Sequence, residues 1–297
     1  MPFDPSTPPI IFGEALFDCF PDGTNVLGGA PLNVATHLAA FGADPVFVSS
    51  VGNDALGERI ERAMADRGMR RIGLQRDPVH ATGSVQVLLV DGEPSYDIVA
   101  DRAYDHIDAA ALPTLPRNSL LYHGSLALRN SDSAAAFEAL RAQIDAAVFL
   151  DVNLRDPWWD EDRLRAMIDA ATWVKLNADE LELLAPEGSS AEERARLLLK
   201  QHGLELVIAT LGAAGAFALN RSGEHCRVAP AASVQVVDAV GAGDGFASVL
   251  ILSLLRGWPL QQRLERAQSF ASAMVGRRGA TVDDPGFYAD FAGRWEL

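Results

Sequence analysis

Apolar segments of strand length alternate with helical patterns along almost the whole chain, and no other feature restricts the fold as much. The predicted strands lie at residues 9–12, 45–51, 120–123, 148–152, 173–176 and 206–210. The predicted helices lie at residues 31–41, 55–66, 131–146, 160–171, 243–256 and 261–277, with one more opened by a capping box of Ser190 and Glu193. This alternation predicts an α/β fold in which helices cover both faces of a mostly parallel sheet.

One region interrupts the alternation. Residues 83–91 and 95–100 resemble two β-segments joined through Asp91-Gly92-Glu93-Pro94, with no helix between them, which is typical of a hairpin. No internal repeat or clear linker separates this region from the rest. We therefore predict a single domain over residues 1–297, with a small β-sheet lid formed approximately by residues 14–30 and 82–102.

Composition narrows the classes of function. The net charge of −15 would repel nucleic acid over most of the surface, so no nucleic-acid partner is expected. No apolar run reaches the roughly 18 residues of a membrane span, and the N-terminus lacks the pattern of a signal peptide, so we expect a cytoplasmic protein with no membrane partner. The cysteines, Cys19 and Cys226, have no metal-binding spacing. Neither lysine, Lys175 or Lys200, completes a P-loop, so any phosphate site must use another design.

A glycine-rich segment, Gly241-Ala-Gly-Asp-Gly-Phe-Ala-Ser248, follows a strand-like stretch at residues 234–237 and opens an apolar helical pattern. The N–H groups and positive dipole end of a helix N-terminus attract anions, and glycines let a phosphate approach the backbone. Asp244 falls in the first helical turn, where a capping role explains an aspartate equally well. A dinucleotide-binding loop is disfavoured, because Phe246 stands where that pattern has its third glycine.

A second segment, Leu27-Gly-Gly-Ala-Pro-Leu-Asn-Val-Ala35, places two glycines before a predicted helix. Gly28 and Gly29 would let the backbone approach a ligand, and Asn33 can both donate and accept hydrogen bonds, as a sugar hydroxyl requires. Taken alone, a glycine turn leading into a helix explains this segment as well.

Together the two segments resemble the two signatures of the PfkB family, also called the ribokinase-like family. Residues 238–244 match its C-terminal pattern Asp-Thr-x-Gly-Ala-Gly-Asp, except that Ala239 replaces the threonine. Further matches follow in family order at residues 13–18, 51–57, 122–127, 151–158, 175–181 and 210–215. The resemblance implies a ribokinase-like fold, with a central mostly parallel sheet, helices on both faces and a small β-sheet lid. It also implies an ATP-dependent sugar kinase with a fructokinase-like pattern.

The resemblance further implies a role for each matched residue. Asp244 would be the catalytic base, and the backbone amides of Gly241, Ala242 and Gly243 would complete an anion hole. The residues that would hold sugar hydroxyls are Asp18, Gly28, Gly29 and Asn33. The residues that would line the ATP site are Asn177, Thr210, Gly212 and Gly215. Asn177 and Glu180 would position Mg²⁺ near the phosphates through water.

By this mechanism Asp244 accepts a proton from a primary sugar hydroxyl as it attacks the γ-phosphate, while the lid excludes water. Fructose or a similar ketose is the favoured acceptor. Arg102 and Arg155 would instead suit the carboxylate of 2-keto-3-deoxygluconate, and a nucleoside is a further alternative. Tyr96 and Tyr104 would either stack on a ligand or cover apolar surface.

Three further expectations concern a non-catalytic role, the oligomeric state and a bound cation. A non-catalytic sugar-binding regulator is the alternative of a different class, and retention of Asp244 with its glycine loop argues against it. The resemblance implies a homodimer through the lids, for which an exposed sheet edge gives a physical reason. It also implies a monovalent cation, K⁺, near the loop at Asp238.

Overall fold

The fold is given by a computed structural model that describes residues 2–90, 93–230 and 236–297. Numbered in chain order, the strands are β1 Ile10–Phe12, β2 Leu16–Cys19, β3 Asn25–Gly28, β4 Val46–Gly52, β5 Leu74–Asp77, β6 Gly83–Val90, β7 Glu93–Ile98, β8 Leu120–Gly124, β9 Ala147–Asp151, β10 Trp173–Asn177, β11 Leu206–Thr210, β12 Ala216–Asn220 and β13 His225–Val228. The α-helices are α1 Ala30–Ala40, α2 Ala55–Asp66, α3 Ser131–Ile144, α4 Glu161–Asp169, α5 Ala178–Leu184, α6 Ala191–Gln201, α7 Ala242–Leu255, α8 Leu260–Val275 and α9 Pro285–Trp295.

The larger sheet has nine strands in the order β13-β12-β11-β10-β9-β8-β1-β4-β5. All neighbouring pairs from β11 to β5 are parallel, and only β12 and β13 run antiparallel at one edge. The prediction of a mostly parallel sheet is therefore confirmed. Its parallel strands all end at the same edge, which is where the candidate site lies.

Helices cover both faces of this sheet. Along β1 the side chain of Ile11 joins one apolar core, whereas Ile10 and Phe12 join the other, as the two-residue period of a strand requires. Helices α1, α2, α7, α8 and α9 supply the first core, and α3 to α6 cover the opposite face. Because both faces are buried, the strands appear in the sequence as nearly continuous apolar runs.

The smaller sheet has the order β3-β2-β6-β7, with β2 and β6 parallel and the two outer pairs antiparallel. Its strands fall within residues 14–30 and 82–102, where the sequence placed the small sheet. β6 and β7 pair as the predicted hairpin, with Val90 opposite Glu93. The turn residues Asp91 and Gly92 lie outside the described residues.

Several elements differ from the prediction. Strands β5, β12 and β13 and helices α5 and α9 were not predicted. Helix α5 has only seven residues, and α9 carries glycine and aromatic residues of low helix propensity. The capping box at α6 is only half formed. Ser190 accepts from the Glu193 N–H at 3.1 Å, but the Glu193 carboxylate accepts from the N–H of Ser189 instead.

Two further expectations concern less regular parts of the chain. Residues 234 and 235 of the predicted strand before α7 lie outside the described residues, and residues 236 and 237 belong to no strand. Among the described helices, none combines the length and the apolar character needed to cross a membrane.

Candidate active site

Four neighbouring strands of the larger sheet end in small or polar residues. β8 ends at Gly124, β9 at Asp151, β10 at Asn177 and β11 at Thr210. The register pairs Gly124 with Asp151 and Asn177 with Thr210, so these ends lie side by side. Ligands of open α/β sheets bind at this edge of the strands. The strand ends therefore define one wall of the candidate site.

The loop before α7 brings a helix N-terminus to this edge. Gly241 has φ +77°, and a Cβ there would lie 2.3 Å from the Cα of Ala280, so glycine is required. The helix begins at Ala242 without a side-chain cap. The N–H of Ala242 donates to the carbonyl of Ala239 at 3.4 Å, whereas those of Gly243 and Asp244 have no acceptor among the described residues and face a ligand or solvent. A Cβ on Gly243 would lie 3.8 Å from Nζ of Lys175. Helix amides and a cation thus adjoin each other, as an anion site requires.

Asp244 lies in the first turn of α7 and points to a neighbouring helix. Nδ2 of Asn33, on α1, donates a hydrogen bond of 2.8 Å to Oδ2 of Asp244. Among the described residues the Asp244 carboxylate bonds to this side chain and to no helix N–H, so the capping alternative loses its support. The two glycine-rich segments therefore meet through their polar residues, although 211 positions separate them.

The environment of Asp244 changes its acidity. Burial raises the pKa of its carboxyl to about 6, and the negative charge of Asp151 adds to this rise. The hydrogen bond from Asn33 and the charges of Lys175 and Arg155 oppose it. A carboxylate with this pKa is ionised at neutral pH and is a stronger base than an exposed aspartate. It is suited to accept a proton from a hydroxyl.

A buried ion pair lies beside this carboxylate and was not predicted as part of the site. Nζ of Lys175 lies 2.8 Å from both carboxylate oxygens of Asp151, and both side chains are almost fully buried. The phenol of Tyr122 also donates to Asp151, at 3.3 Å. The sequence signal was a charged residue inside the apolar strand Trp173-Val-Lys-Leu-Asn177, which is unusual without a buried partner.

The paired glycines are explained by close backbone approach. Gly29 has φ +104°, and a Cβ there would lie 2.5 Å from the carbonyl oxygen of Glu14. A Cβ on Gly28 would lie 3.4 Å from Oδ2 of Asp18, on the adjacent strand β2. Asp18 is half-buried, and burial raises the pKa of its carboxyl. Asp18 and Gly28 therefore lie side by side on β2 and β3, with Gly29 directly after them; their contact with a sugar stays a prediction.

Glu14 is a second functional candidate that the prediction left out. Its carboxyl is buried, and Oε2 has no hydrogen-bond partner among the described residues. Burial raises the pKa of Glu14 to about 7, with Arg155 and Arg129 opposing the rise and Asp244 adding to it. A buried carboxyl oxygen without a partner is costly, so Oε2 of Glu14 is suited to contact a ligand.

The other residues predicted to contact the sugar differ in their exposure and in their hydrogen-bond partners. Arg155 is exposed, and its charge acts on both Asp244 and Glu14. Arg102 is half-buried, and its Nε has no hydrogen-bond partner among the described residues. Tyr96 is 56% exposed on β7. Tyr104 is fully buried in the core, where its hydroxyl accepts from Arg129 at 2.9 Å, so it covers apolar surface rather than stacking on a ligand.

The residues predicted for ATP surround the turn after β11. Thr210 ends that strand, and Gly212 and Gly215 both have positive φ, of +54° and +89°. A Cβ on Gly215 would lie 2.0 Å from the carbonyl oxygen of Val228, so this turn closes tightly against β13. Residues 212–214 are exposed and leave an open surface next to the Thr210 strand end.

Asn177 and Glu180 form a reciprocal capping box at α5. Oδ1 of Asn177 accepts from the Glu180 N–H at 2.9 Å, and Oε2 of Glu180 accepts from the Asn177 N–H at 2.8 Å. Oε1 of Glu180 also accepts from the N–H of Leu154, after β9. Burial raises the pKa of Glu180, and these backbone bonds oppose the rise. The donor set is entirely oxygen, which suits a hydrated Mg²⁺ rather than a softer metal.

The loop at Asp238 is closed by that residue's own carboxylate. Oδ1 accepts from the N–H of Val240 at 3.0 Å, and Oδ2 accepts from the N–H of Gly279 at 3.1 Å. Asp238 thus fastens the glycine-rich loop to the segment after α8. Ala239, which replaces the family's threonine, leaves these bonds in place.

The chain is similar to known carbohydrate kinases over most of its length. Residues 19–285 match the model of the pfkB family carbohydrate kinase. The chain is 30% identical over 259 residues to a fructokinase of Escherichia coli, which covers 82% of this chain and 83% of that protein. It is also 30% identical over 295 residues to the aminoimidazole riboside kinase of Salmonella typhimurium, with 93% and 91% covered.

A solved structure shows the same similarity in three dimensions. The crystal structure of a fructokinase from Vibrio cholerae O395, bound to fructose, ADP and a calcium ion, superposes with a TM-score of 0.82 at 26% identity. The match covers 96% of this chain and 99% of that one. The range matched by the family model includes both glycine-rich segments and Asp244.

Proposed function

The chain belongs to the PfkB family of carbohydrate kinases and is a fructokinase-like sugar kinase, and we propose that it transfers the γ-phosphate of ATP to a primary hydroxyl of fructose or a similar ketose. The observation that carries this proposal is the buried Asp244 carboxylate, held by Asn33 beside the free amides of α7 and the Lys175 cation. The regulator alternative is set aside, because these features are those of a phosphoryl-transfer centre.

In this proposal the proton of the sugar hydroxyl is transferred to one particular oxygen of Asp244. Asn33 occupies Oδ2 of Asp244, so Oδ1 is the oxygen that would receive the proton of the attacking hydroxyl. Asp18, Gly28 and Gly29 would orient the sugar, and the amides of residues 241–244 would stabilise the negative charge on the transferred phosphoryl group. Thr210, Gly212 and Gly215 would line the nucleotide on the other side.

Magnesium would be held on the nucleotide side by Asn177 and Glu180. Their oxygen donors fit a hydrated Mg²⁺, and the Glu180 carboxylate keeps a lone pair on each oxygen after accepting its two backbone bonds. When bound, Mg²⁺ neutralises charge on the ATP phosphates.

We also infer that residues 1–297 act as one domain, with the smaller sheet as a lid over the sugar. Asp18 and Gly28 belong to that sheet, so its movement would carry two of the three residues proposed to orient the sugar. Its exposed apolar side chains, Phe20, Val26 and Leu88, support a homodimer through the lids. The closed loop at Asp238 is where K⁺ would act.

A second candidate substrate, 2-keto-3-deoxygluconate, is favoured by one observation. Nε of Arg102 is buried without a partner among the described residues and lies directly after the smaller sheet. A substrate carboxylate would satisfy it and would also pair with the exposed Arg155.

The substrate proposal predicts a ranking. Fructose is expected to give the highest kcat/KM for ADP release among the acceptors tested. The other acceptors are ribose, 2-keto-3-deoxygluconate, aminoimidazole riboside and nucleosides. The assay is ADP formation coupled to NADH oxidation, with ATP alone as the blank. If 2-keto-3-deoxygluconate gives a higher kcat/KM than fructose, and Arg102→Leu removes this advantage, the acid and not fructose is the substrate. A higher value for a nucleoside would overturn both.

The Asn33 hydrogen bond predicts a shift in the pH dependence of catalysis. Protonation of Asp244 removes the base, so kcat/KM is expected to fall as the pH drops below about 6. Asn33→Ala removes a bond that lowers the pKa of Asp244, so the same fall should occur at higher pH. The pH–rate profile of each variant measures this. Thr36→Val is the matched control, because Thr36 lies on α1 but bonds to Leu32. If the profile of Asn33→Ala is not shifted, the fall in kcat/KM at low pH is not caused by protonation of Asp244.

A further inference from the structure

The carboxyl of Glu14 is a buried group to which the proposed reaction gives no role. Glu14 lies between β1 and β2, two residues after β1 ends at the edge of the sheet that carries the candidate site. The residue is 3% exposed, and Oε2 has no hydrogen-bond partner among the described residues. Buried polar atoms are nearly always paired, so Oε2 is suited to accept a hydrogen bond from a bound molecule.

The surroundings of Glu14 place it on the sugar side of the site. A Cβ on Gly29 would lie 2.5 Å from the carbonyl oxygen of Glu14, so the chain at Glu14 packs against the paired glycines. Gly29 is also the N-cap of α1, the helix whose Asn33 bonds to Asp244. Burial raises the pKa of Glu14 to about 7, and the charge of Asp244 adds to this rise. Glu14 is therefore close enough to the presumed base for their charges to interact.

Two unpaired donors lie in the same neighbourhood. Among the described residues, six buried side-chain atoms lack a hydrogen-bond partner, and three of them belong to Glu14, Arg102 and Arg129. Burial raises the pKa of the Tyr104 phenol, and the charges of Arg129, Glu14 and Arg102 all act on that phenol. An unpaired acceptor, Oε2 of Glu14, thus lies near two unpaired donors, Nη1 of Arg129 and Nε of Arg102.

This combination of one acceptor and two donors suits a hydroxyl group. A hydroxyl can donate to Oε2 of Glu14 and accept from a guanidinium at the same time. A substrate carboxylate can accept from the arginines but cannot donate to Oε2, and the ionised Glu14 would repel its charge. The two arginines alone would favour a sugar acid, whereas the presence of Glu14 favours a neutral sugar.

We propose that Glu14 is a specificity-determining residue, which accepts a hydrogen bond from a hydroxyl of the acceptor and so selects a neutral sugar over a sugar acid. This inference rests on the proposed sugar kinase function. The contact is distinct from that of Asp244, which would receive the proton of the attacking hydroxyl. It is also distinct from that of Asp18, because Asp18 belongs to the smaller sheet and Glu14 to the segment that joins the two sheets.

The experiment is a calorimetric titration of the full-length wild type, Glu14→Gln and Glu14→Ala with fructose and with 2-keto-3-deoxygluconate, in buffer containing ADP and Mg²⁺. Fructose is expected to bind about 10–100-fold more weakly to Glu14→Ala, the range for losing a hydrogen bond to a charged group. Glu14→Gln should lose less, because its amide oxygen can still accept. Both variants should bind the acid more tightly than the wild type does, because the repelling charge is removed.

These opposite effects distinguish recognition from a structural role, which would weaken the binding of both compounds. Steady-state kinetics should show the same separation, with a higher KM for fructose and a kcat within a few-fold of the wild type. Glu138→Gln is the matched control, because Glu138 is an exposed carboxylate on α3 that pairs with Arg141. Circular dichroism of each variant reports folding independently.

The pH dependence of fructose binding provides a second readout. The charged and titratable groups that interact with the Glu14 carboxyl are Asp244 on α7, Arg155 after β9, Arg129 before α3, Tyr122 on β8 and Tyr104 after β7. A hydroxyl binds an ionised carboxylate more strongly than a protonated one, so the affinity of the wild type should fall as the pH drops through about 7. Glu14→Gln should remove this fall, whereas protonation of Asp244, at about 6, affects both proteins.

The outcomes separate this inference from the function on which it rests. A wild type that neither binds nor phosphorylates fructose would overturn the proposed substrate, and the role of Glu14 with it. If the wild type phosphorylates fructose but the Glu14 variants bind both compounds as it does, or lose both in parallel, the role of Glu14 alone is overturned. A lower kcat with unchanged fructose affinity would also overturn it, because Glu14 would then act in proton transfer.

Discussion

Replacing Asp244 with asparagine is expected to lower kcat by about 10²–10⁴-fold, the range that a positioned general base contributes. Asparagine keeps the size of the side chain and can still face Asn33, so the loop and α7 should keep their positions. It cannot accept the hydroxyl proton. The expected result is therefore a variant that binds fructose and ATP with nearly unchanged affinity but turns over slowly. Steady-state kinetics with calorimetric binding of each ligand measures the two effects separately.

A second aspartate provides the comparison for this variant. Asp18 is proposed to hold a sugar hydroxyl from the smaller sheet, so Asp18→Asn should mainly raise the KM for the sugar. A loss of kcat in one variant and a rise of KM in the other would separate proton transfer from sugar binding. If Asp244→Asn kept a kcat close to that of the wild type, another group would have to be the base, and Glu14 would be the first candidate.

The sequence predicted the two halves of the Asp244 site but not how they meet. Glycine spacing and a first-turn aspartate identified residues 241–244, and paired glycines identified Gly28 and Gly29. The hydrogen bond from Asn33 to Asp244 depends on how α1 packs against α7, and no local pattern encodes that. The pKa of Asp244 likewise follows from burial in the folded state.

Features made by several distant residues were the ones missed. Lys175 and Asp151 become neighbours only through the register of β10 with β9. His80 and His106 lie far apart along the chain, and their rings stack beside Asp101 only in the folded structure. Tyr104 was left open between ligand stacking and core, since an aromatic residue in a polar segment is compatible with both. In each case tertiary packing supplied the information.

Lys175→Met is expected to reduce the free energy of unfolding by about 3–5 kcal/mol, the cost of leaving one member of a buried ion pair alone. Both side chains are less than a tenth exposed, and Nζ contacts both carboxylate oxygens of Asp151. Among the side chains that the structure describes, removing the cation leaves the buried Asp151 with the 3.3 Å bond from Tyr122 alone. Urea unfolding followed by circular dichroism measures the change. Lys200→Met is the matched control, because the other lysine of the chain is exposed at the end of α6.

The double variant Lys175→Met/Asp151→Leu tests whether the buried ion pair serves stability or catalysis. Replacing both charges by apolar groups removes the uncompensated carboxylate, so much of the lost stability should return. Activity should not return with it, because Lys175 places its charge beside Gly243 and the amides that would face the phosphates. Lys175→Met with unchanged stability would contradict the buried-pair energetics. An active double variant would show instead that the anion hole works without this cation.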